Sequence, residues 1–541
     1  MPDFLQRIRR TWLPVVWAVA ITMFAMQARP IRAQAPPPGT VITGIPAGGD
    51  SVEQRRMGAE AGVRLVRSFD GLGAGFVGPH GAVALRNPSD NSLAVGRTHI
   101  VQTVNSQWAI FRKDGTPVYG PLPTNAVFKG FGGACEEVLS GDAVVRYDQL
   151  ADRWLLVLPI FRRVAARTGA PGPRTARLVI PPAVTDSAVR PLPPRGSPDT
   201  VKGDYAMCYA VSATSNPLGA WHRYEFTRPL FPDYPRPAVW PDGYYVPTST
   251  GDEVVEKHLC VAERRRMLRG LAARELCRII PGVNFLNTAD LDGRRVPAPG
   301  SPHLILAAGG TQLRGVVESA ELQLWRFSVN WRDTSKTTLR GPQSIPVAPY
   351  RYLCGGQLTN CVPQPGTERR LDSQGDKLMP RLVYRRMGTH DAMVAVHSIN
   401  TAQGTGGVRW YELRVSSAGD VTVHQQGTYA PDSLYRWLPS AAMDRFGNIG
   451  LGYSVGDQHT YPGQRFAGRT PQQHPGTLGL RETSLVNGAA PQTTTLRWED
   501  YTQTAVDPVD DCTIWYVGDY LRAGATSYST RIGAFRMPGC R

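Results

Sequence analysis

The feature that most constrains this chain is a hairpin that keeps returning. Six segments share one outline: NPSDNSLAVGRTHIVQTVN from residue 87, SGDAVVRYDQLADRWLLVLP from 140, FPDYPRPAVWPDGYYVPTS from 231, GDKLMPRLVYRRMGTHDAMVAVHS from 375, YRWLPSAAMDRFGNIGLGYS from 435 and RWEDYTQTAVDPVDDCTIWYVGDYL from 497. Each runs from a polar or aromatic opening into a small apolar strand, a turn rich in Asp, Gly or Asn, and a second strand, which is the pattern of a β-hairpin. The aligned starts fall near 90, 142, 233, 376, 437 and 500, and the last spacings, 61 and 63 residues, suit a four-stranded unit with its loops. Between 233 and 376 an unmatched pair of strands, PHLILAAGGTQLRGVVESAELQLWRFSVNW from 302, makes a seventh unit. Sheets repeated at this period bury their faces against one another around an axis. The expected fold is therefore all-β, a single seven-bladed β-propeller over residues 62–541, with GVRLVRSFDGL, residues 62–72, available to close the last blade. At 541 residues, length alone would suggest several domains, and the repeat overrules it.

Composition agrees, since 56 Gly and 46 Pro favour strands and turns over helices. Ahead of the repeat, Arg7, Arg9 and Arg10 precede an apolar run from Trp12 to Met26 and small residues at Ala33 and Ala35. Basic, apolar, then small is the layout of a secretory signal, and the run is short for a membrane span. Residues 1–35 are expected to be that signal and 36–61 a flexible lead-in, which places the chain in a secreted, periplasmic or cell-surface setting. Eight cysteines suit an oxidising compartment. Short loops suggest Cys354 with Cys361, Cys260 with Cys277 and Cys512 with Cys540, leaving Cys135 with Cys208. The absence of any CxxC pair argues against a zinc site. No cofactor is implied, although a structural cation such as calcium is compatible with the acids described below.

The net charge of +16 raises the question of nucleic acid, which export excludes. Much of the excess lies in the Pro-rich stretch 161–200, expected to be a mobile insertion, and in AERRRMLRGLAARELC, residues 262–277, expected to be a short helix with one basic face. Both read first as solvated surface, with attraction to an acidic envelope polymer as the alternative. The chain is expected to be a monomer.

In a propeller the first strand of each blade lines the central channel, so the residues that open those strands surround one mouth. Asp90, Asp142, Asp233, Tyr234, Asp376, Trp437, Glu499, Asp500 and Tyr501 are the candidates. Carboxylates and aromatic rings there could stack a sugar while accepting its hydroxyl hydrogens, or hold a cation. The competing reading is that these acids cap turns and pair with arginines between blades.

YDQLADRW, CYAVSATSNPLGAWHRYEF, RWYELR, QQGTYAPD, MDRFGNIGLGYS and DYTQTAVDPVDDCTIWY resemble motifs of a group of exported bacterial proteins of uncharacterised function that are read as β-propellers. The resemblance covers most of the chain from about residue 85 and implies the fold and export; it brings no catalytic residues. More remotely, MDRFGNIGLGYS resembles the Asp-box turns of sialidase-like propellers, although the S-x-D-x-G-x-T-W pattern is absent.

Three local motifs read as structure. GYSVG, with Ser454, matches the nucleophile-elbow pattern but lacks a following helix. ADLDGRR, with Asp290 and Asp292, lacks the closing Glu of a calcium loop and reads as a turn. His390 and Asp391 in GTHDAM read as a hairpin turn. Three functions remain: a recognition or scaffold propeller with a glycan or cation site at the channel mouth, a glycan-directed glycoside hydrolase or lyase using paired carboxylates, or a purely structural envelope protein.

Overall fold

Strands covered on both faces read as unbroken apolar runs. Ile449–Gly456 and Thr513–Tyr520 are buried at every residue, and Arg153–Ile160 at every residue after the first. The computed structural model, which describes residues 51–164, 174–184, 204–250, 253–310, 316–356 and 360–541, shows what covers them. Four-stranded antiparallel sheets stack side by side.

Blade 1 comprises Ser92–Val95, His99–Val104, Gln107–Arg112 and Pro117–Pro123; blade 2 comprises Val144–Asp148, Arg153–Ile160, Tyr205–Ser212 and Ala220–Arg228. Blade 3 is built on Ala238–Val239, Tyr244–Tyr245, Glu253–Ala262 and Glu275–Pro281, and blade 4 on Asn287–Asp292, His303–Ala308, Glu321–Ser328 and Thr338–Pro346. Leu382–Arg386 opens blade 5, Tyr435–Met443 blade 6 and Gln503–Val506 blade 7. The innermost strands contact one another in chain order, and that of blade 7 returns to that of blade 1. The architecture is a β-propeller.

The ring is sealed by the beginning of the described chain. Arg64–Asp70 is the fourth strand of blade 7, antiparallel to Ser529–Arg536. Ahead of it, Glu53–Gln54 runs parallel to Thr428 and Tyr429 on the rim of blade 5, and Glu60 bridges Leu480 on blade 6. Residues 51–61 are thus not a flexible lead-in. The outer edges of two blades offer unpaired backbone groups, and this segment satisfies them.

Two further expectations change. Within the stretch expected to be a mobile insertion, Arg174–Arg177 adds a fifth strand to blade 2, and the Pro181 carbonyl lies 2.9 Å from Nε2 of His80. Residues 165–173 and 185–203, like the signal segment, lie outside the described residues. The expected helix in 262–277 shrinks to Arg264–Met267, because Glu275–Pro281 pairs with the preceding strand and the Cys260–Cys277 disulfide bridges that pair. Nor is its basic face wholly solvated, since Arg264 is buried and reaches Asp148 of blade 2 at 2.6 Å. Of ADLDGRR, residues 289–295, read as a turn, residues 289–292 belong to Asn287–Asp292, the innermost strand of blade 4. Arg381 neutralises both Asp290 and Asp292, so acids that looked solvated are buried ion-pair partners.

All four expected disulfides are present: Cys135–Cys208, Cys260–Cys277, Cys354–Cys361 and Cys512–Cys540. They fit an oxidising environment. Among the described residues no helix is long and apolar enough to cross a membrane.

Connection lengths differ between the two faces. Where innermost strands end, turns are short, as at 149–152, 387–390 and 444–448. Asp148 accepts from the N–H groups of Leu150 and Ala151, and Asp444 from those of Phe446 and Asn448. These acids cap turns. On the face where innermost strands begin, four connections are long, namely 124–143, 161–204 between the second and third strands of blade 2, 347–381 and 487–502, whereas 282–286 and 430–434 are short. The third of these carries the hairpin Asn360–Gln364 with Thr367–Asp372, which lies against 492–496 through the Asp372 N–H and the Leu496 carbonyl at 2.8 Å.

Deleting residues 51–70 should lower the thermal midpoint sharply and expose blade 7 to limited proteolysis, because the edge of Ser529–Arg536 loses its partner and Phe69 leaves Phe111 and Trp515. An unchanged melt would mean that the ring is held closed elsewhere.

Candidate functional site at the channel mouth

The elaborated face is where the sequence places its acids, and most of them meet there. Asp90 and Asp142 precede the innermost strands of blades 1 and 2 in left-handed backbone conformations, with φ of 48° and 59°, which Asp tolerates better than most residues. That turn aims each carboxylate at the next blade. Asp90 Oδ2 accepts the Asp142 N–H at 3.1 Å, and Asp142 Oδ2 accepts the Tyr234 N–H at 3.2 Å. The Tyr501 hydroxyl donates to the same Asp142 oxygen at 2.9 Å, and the Tyr234 hydroxyl donates to the Asp500 carbonyl.

Asp500 is held by Arg497, which donates at 2.6 Å and also faces Asp372 at 3.2 Å. Gln374 donates to both Asp500 and Asp372. Lys377 bonds Asp376 and Gln374, each at 2.5 Å. Asp233 is partly exposed beside Ser249, while the charges of Asp500, Arg497 and Lys377 reach it. Six carboxyl groups, of Asp90, Asp142, Asp233, Asp372, Asp376 and Asp500, thus gather around Arg497 and Lys377.

Two candidates do not belong to this group. Glu499 turns back between blades 6 and 7, where it accepts from the Asp519 N–H at 2.7 Å and from Gln464 at 3.0 Å. Trp437 is fully buried, 6.2 Å from Trp498, in the core behind the innermost strand of blade 6. A bulge between Trp437 and Ser440 gives the left-handed position there to Leu438, with φ of 50°, and turns Trp437 away from the channel. The aromatic platform also differs from expectation. Tyr234 and Tyr501 stack on each other, centroids 4.3 Å apart, and are buried with Phe285 and Val144, so their faces are not presented to a sugar.

The sequence signal missed Gln374, Lys377, Arg497 and Arg236. Gln374 lies one residue ahead of a repeated segment, whereas Lys377 and Arg497 lie inside repeated segments and were passed over because the outline was read for its acids and aromatic rings. Arg236 could have been found, because it follows Tyr234 by two residues and so falls on the same side of an extended chain.

Electrostatics follow from this crowding. Burial, reinforced by the charges of Asp233 and Asp500, pushes the Asp142 carboxyl up to about 7, and burial with Asp500 pushes Asp233 to about 6. Burial also raises Asp372 to about 6. Asp90 lies well above the usual range for the same reason, with Asp142 and Asp500 adding to it. Ser454, by contrast, sits inside a strand and accepts from Gln464 and Trp498, which rules out an elbow. The loop 387–390 carries His390 in the hairpin turn read from the sequence.

No family model and no curated protein matches this chain. Among solved structures it is similar to a protein of unknown function from Dyadobacter fermentans, with 11% identity, TM-score 0.36 and coverage of 88% of this chain and 99% of that one. It is also similar to the polysaccharide lyase Uly1, with 9% identity, TM-score 0.34 and coverage of 90% and 99%. The WD40 domain of SCAP from fission yeast matches with 8% identity, TM-score 0.30 and coverage of 81% and 82%. At such values, strand pairing within this chain carries the assignment of the fold.

Carboxyl groups whose pKa is raised hold protons in the folded chain that the unfolded chain releases, so their contribution is fullest at low pH and is lost as pH rises through 6 to 7. In a metal-free buffer, stability should fall between about pH 4 and about pH 7, and Asp142→Asn should remove about 1–3 kcal/mol of that fall. Melts of the two chains across this range test it; parallel curves would show that Asp142 does not titrate there.

Proposed function

We propose that this protein is an exported recognition or scaffold propeller with a glycan or cation site at its channel mouth, around Asp142, Asp233, Asp500 and Asp90, whose carboxylate oxygens would have to draw closer together than they stand to hold a cation of the calcium type. The observation that carries this reading is Asp90 Oδ1. It is buried without a hydrogen-bond partner among the described residues, in a group of carboxyls that outnumbers its cationic neighbours. Crowded carboxyls raise one another's pKa unless a cation replaces the protons. Hard cations prefer such oxygens and leave coordination positions for ligand hydroxyls, which is how a glycan could join the site despite the covered tyrosine faces.

A second reading, a glycan-directed hydrolase or lyase, is favoured by the Asp142 carboxyl at about 7, since a group poised near neutrality can act as an acid or a base. Calorimetric titration of calcium into metal-free protein should show saturable binding that raises the thermal midpoint, and Asp142→Asn and Asp233→Asn should each weaken it by about tenfold or more. Absence of calcium binding by the intact chain would retire the cation reading. Release of reducing sugar or unsaturated product from acidic polysaccharides, abolished in Asp142→Asn, would favour catalysis.

A further inference from the structure

Beside the carboxylates the channel changes sign. Arg236 is 3% exposed, and none of Nε, Nη1 and Nη2 has a hydrogen-bond partner among the described residues. Its guanidinium carbon lies 4.8 Å from the centre of the Tyr234 ring and 5.1 Å from that of Phe285. Two ammonium groups approach the same phenyl ring, Lys257 at 4.7 Å and Lys377 at 4.6 Å. Lys377 is matched by Asp376 at 2.5 Å.

Other buried arginines of the channel differ in this respect. Arg146 bonds the Pro237 carbonyl and Gln503 and faces Asp290 at 3.4 Å, and Arg381 holds Asp290 and Asp292. Contacts with aromatic rings compensate a desolvated guanidinium only in part. Burial draws Lys257 down to about 7, opposed by the charges of Asp376 and Asp233 and reinforced by those of Arg236 and Lys377. The charge of Asp376 reaches Arg236, but no anion is hydrogen-bonded to its guanidinium among the described residues.

We infer that Arg236, with Lys257 and Lys377 beside it, is a binding site for a compact oxyanion, a carboxylate or sulfate group, entering from the channel mouth. The guanidinium fork suits two oxygens of one such group, and the ammonium groups add charge without fixing geometry. The inference does not depend on the proposed cation. The anion could be a free ion or the acidic group of a larger ligand such as a uronic acid.

Calorimetric titration of the oxidised chain with sodium acetate, sodium sulfate and sodium glucuronate, with glucose as the neutral control, tests this. At least one anion should bind saturably while glucose does not, and Arg236→Gln should weaken binding by about tenfold or more, with Arg64→Gln, on the exposed rim, unaltered. Glucuronate binding without acetate or sulfate would identify the acidic group of a larger ligand; equal binding of acetate or sulfate would identify a free anion. In the absence of anion, Arg236→Gln should melt no lower than the parent chain, because it removes a buried charge to which no anion is hydrogen-bonded. Binding by none of the three anions, or binding undiminished in Arg236→Gln, overturns the inference. Should Arg236→Gln not fold, it contradicts the stability expectation, and undiminished binding in Lys257→Gln would complete the refutation.

Discussion

Everything in this molecule depends on the pairing of Arg64–Asp70 with Ser529–Arg536. A ring of sheets has no edge between blades only if the last blade is complete, and here the missing strand comes from the opposite end of the chain. Tyr520, Arg522 and Arg531 converge on Asp70 at this seam. A strand that closes a ring of this size carries a loop-closure cost that grows only slowly with length. In return the innermost strands are held in mutual contact, and the positions of the channel residues become fixed.

Within that ring the mouth acids have two roles at once. Asp90 and Asp142 each tie their own blade to the next through a backbone N–H, and those bonds are a structural reason for Asp at a left-handed position. Each bond uses one carboxylate oxygen. The second oxygen of Asp90 is left over, and the surplus of such groups is what gives the mouth its chemistry. The structural and functional readings of the repeated Asp are therefore compatible, divided between two oxygens of the same side chain.

The sequence made the hairpin repeat legible because polar opening, apolar strand and Asp turn are all local. The disulfides were legible because short loops restrict which cysteines meet. The innermost strand of blade 4 was not, although two of its outer strands were counted as a seventh unit, because it carries Asp290 and Asp292, and acids in a short segment read as a turn until Arg381, some ninety residues away, pairs with them. Trp437 and Glu499 were misplaced for a related reason. A bulge in one strand, and a local backbone reversal marked by φ of 53° at Glu499, alter which side of the chain faces the axis. Gln374 reaches the site from a long connection whose course no periodicity reports, and Arg497 stands at the head of a repeated segment but breaks its pattern of acids and aromatic rings.

The ion pairs of Arg146 and Arg381 also bear on how the blades are held together. Arg146 extends from blade 2 to Asp290 of blade 4 and Gln503 of blade 7, so a charged crossbar spans the bore. Blades 2, 4 and 7 are thus bound to one another at the axis as well as through their neighbours, and a substitution of Arg146 would loosen three blades at once.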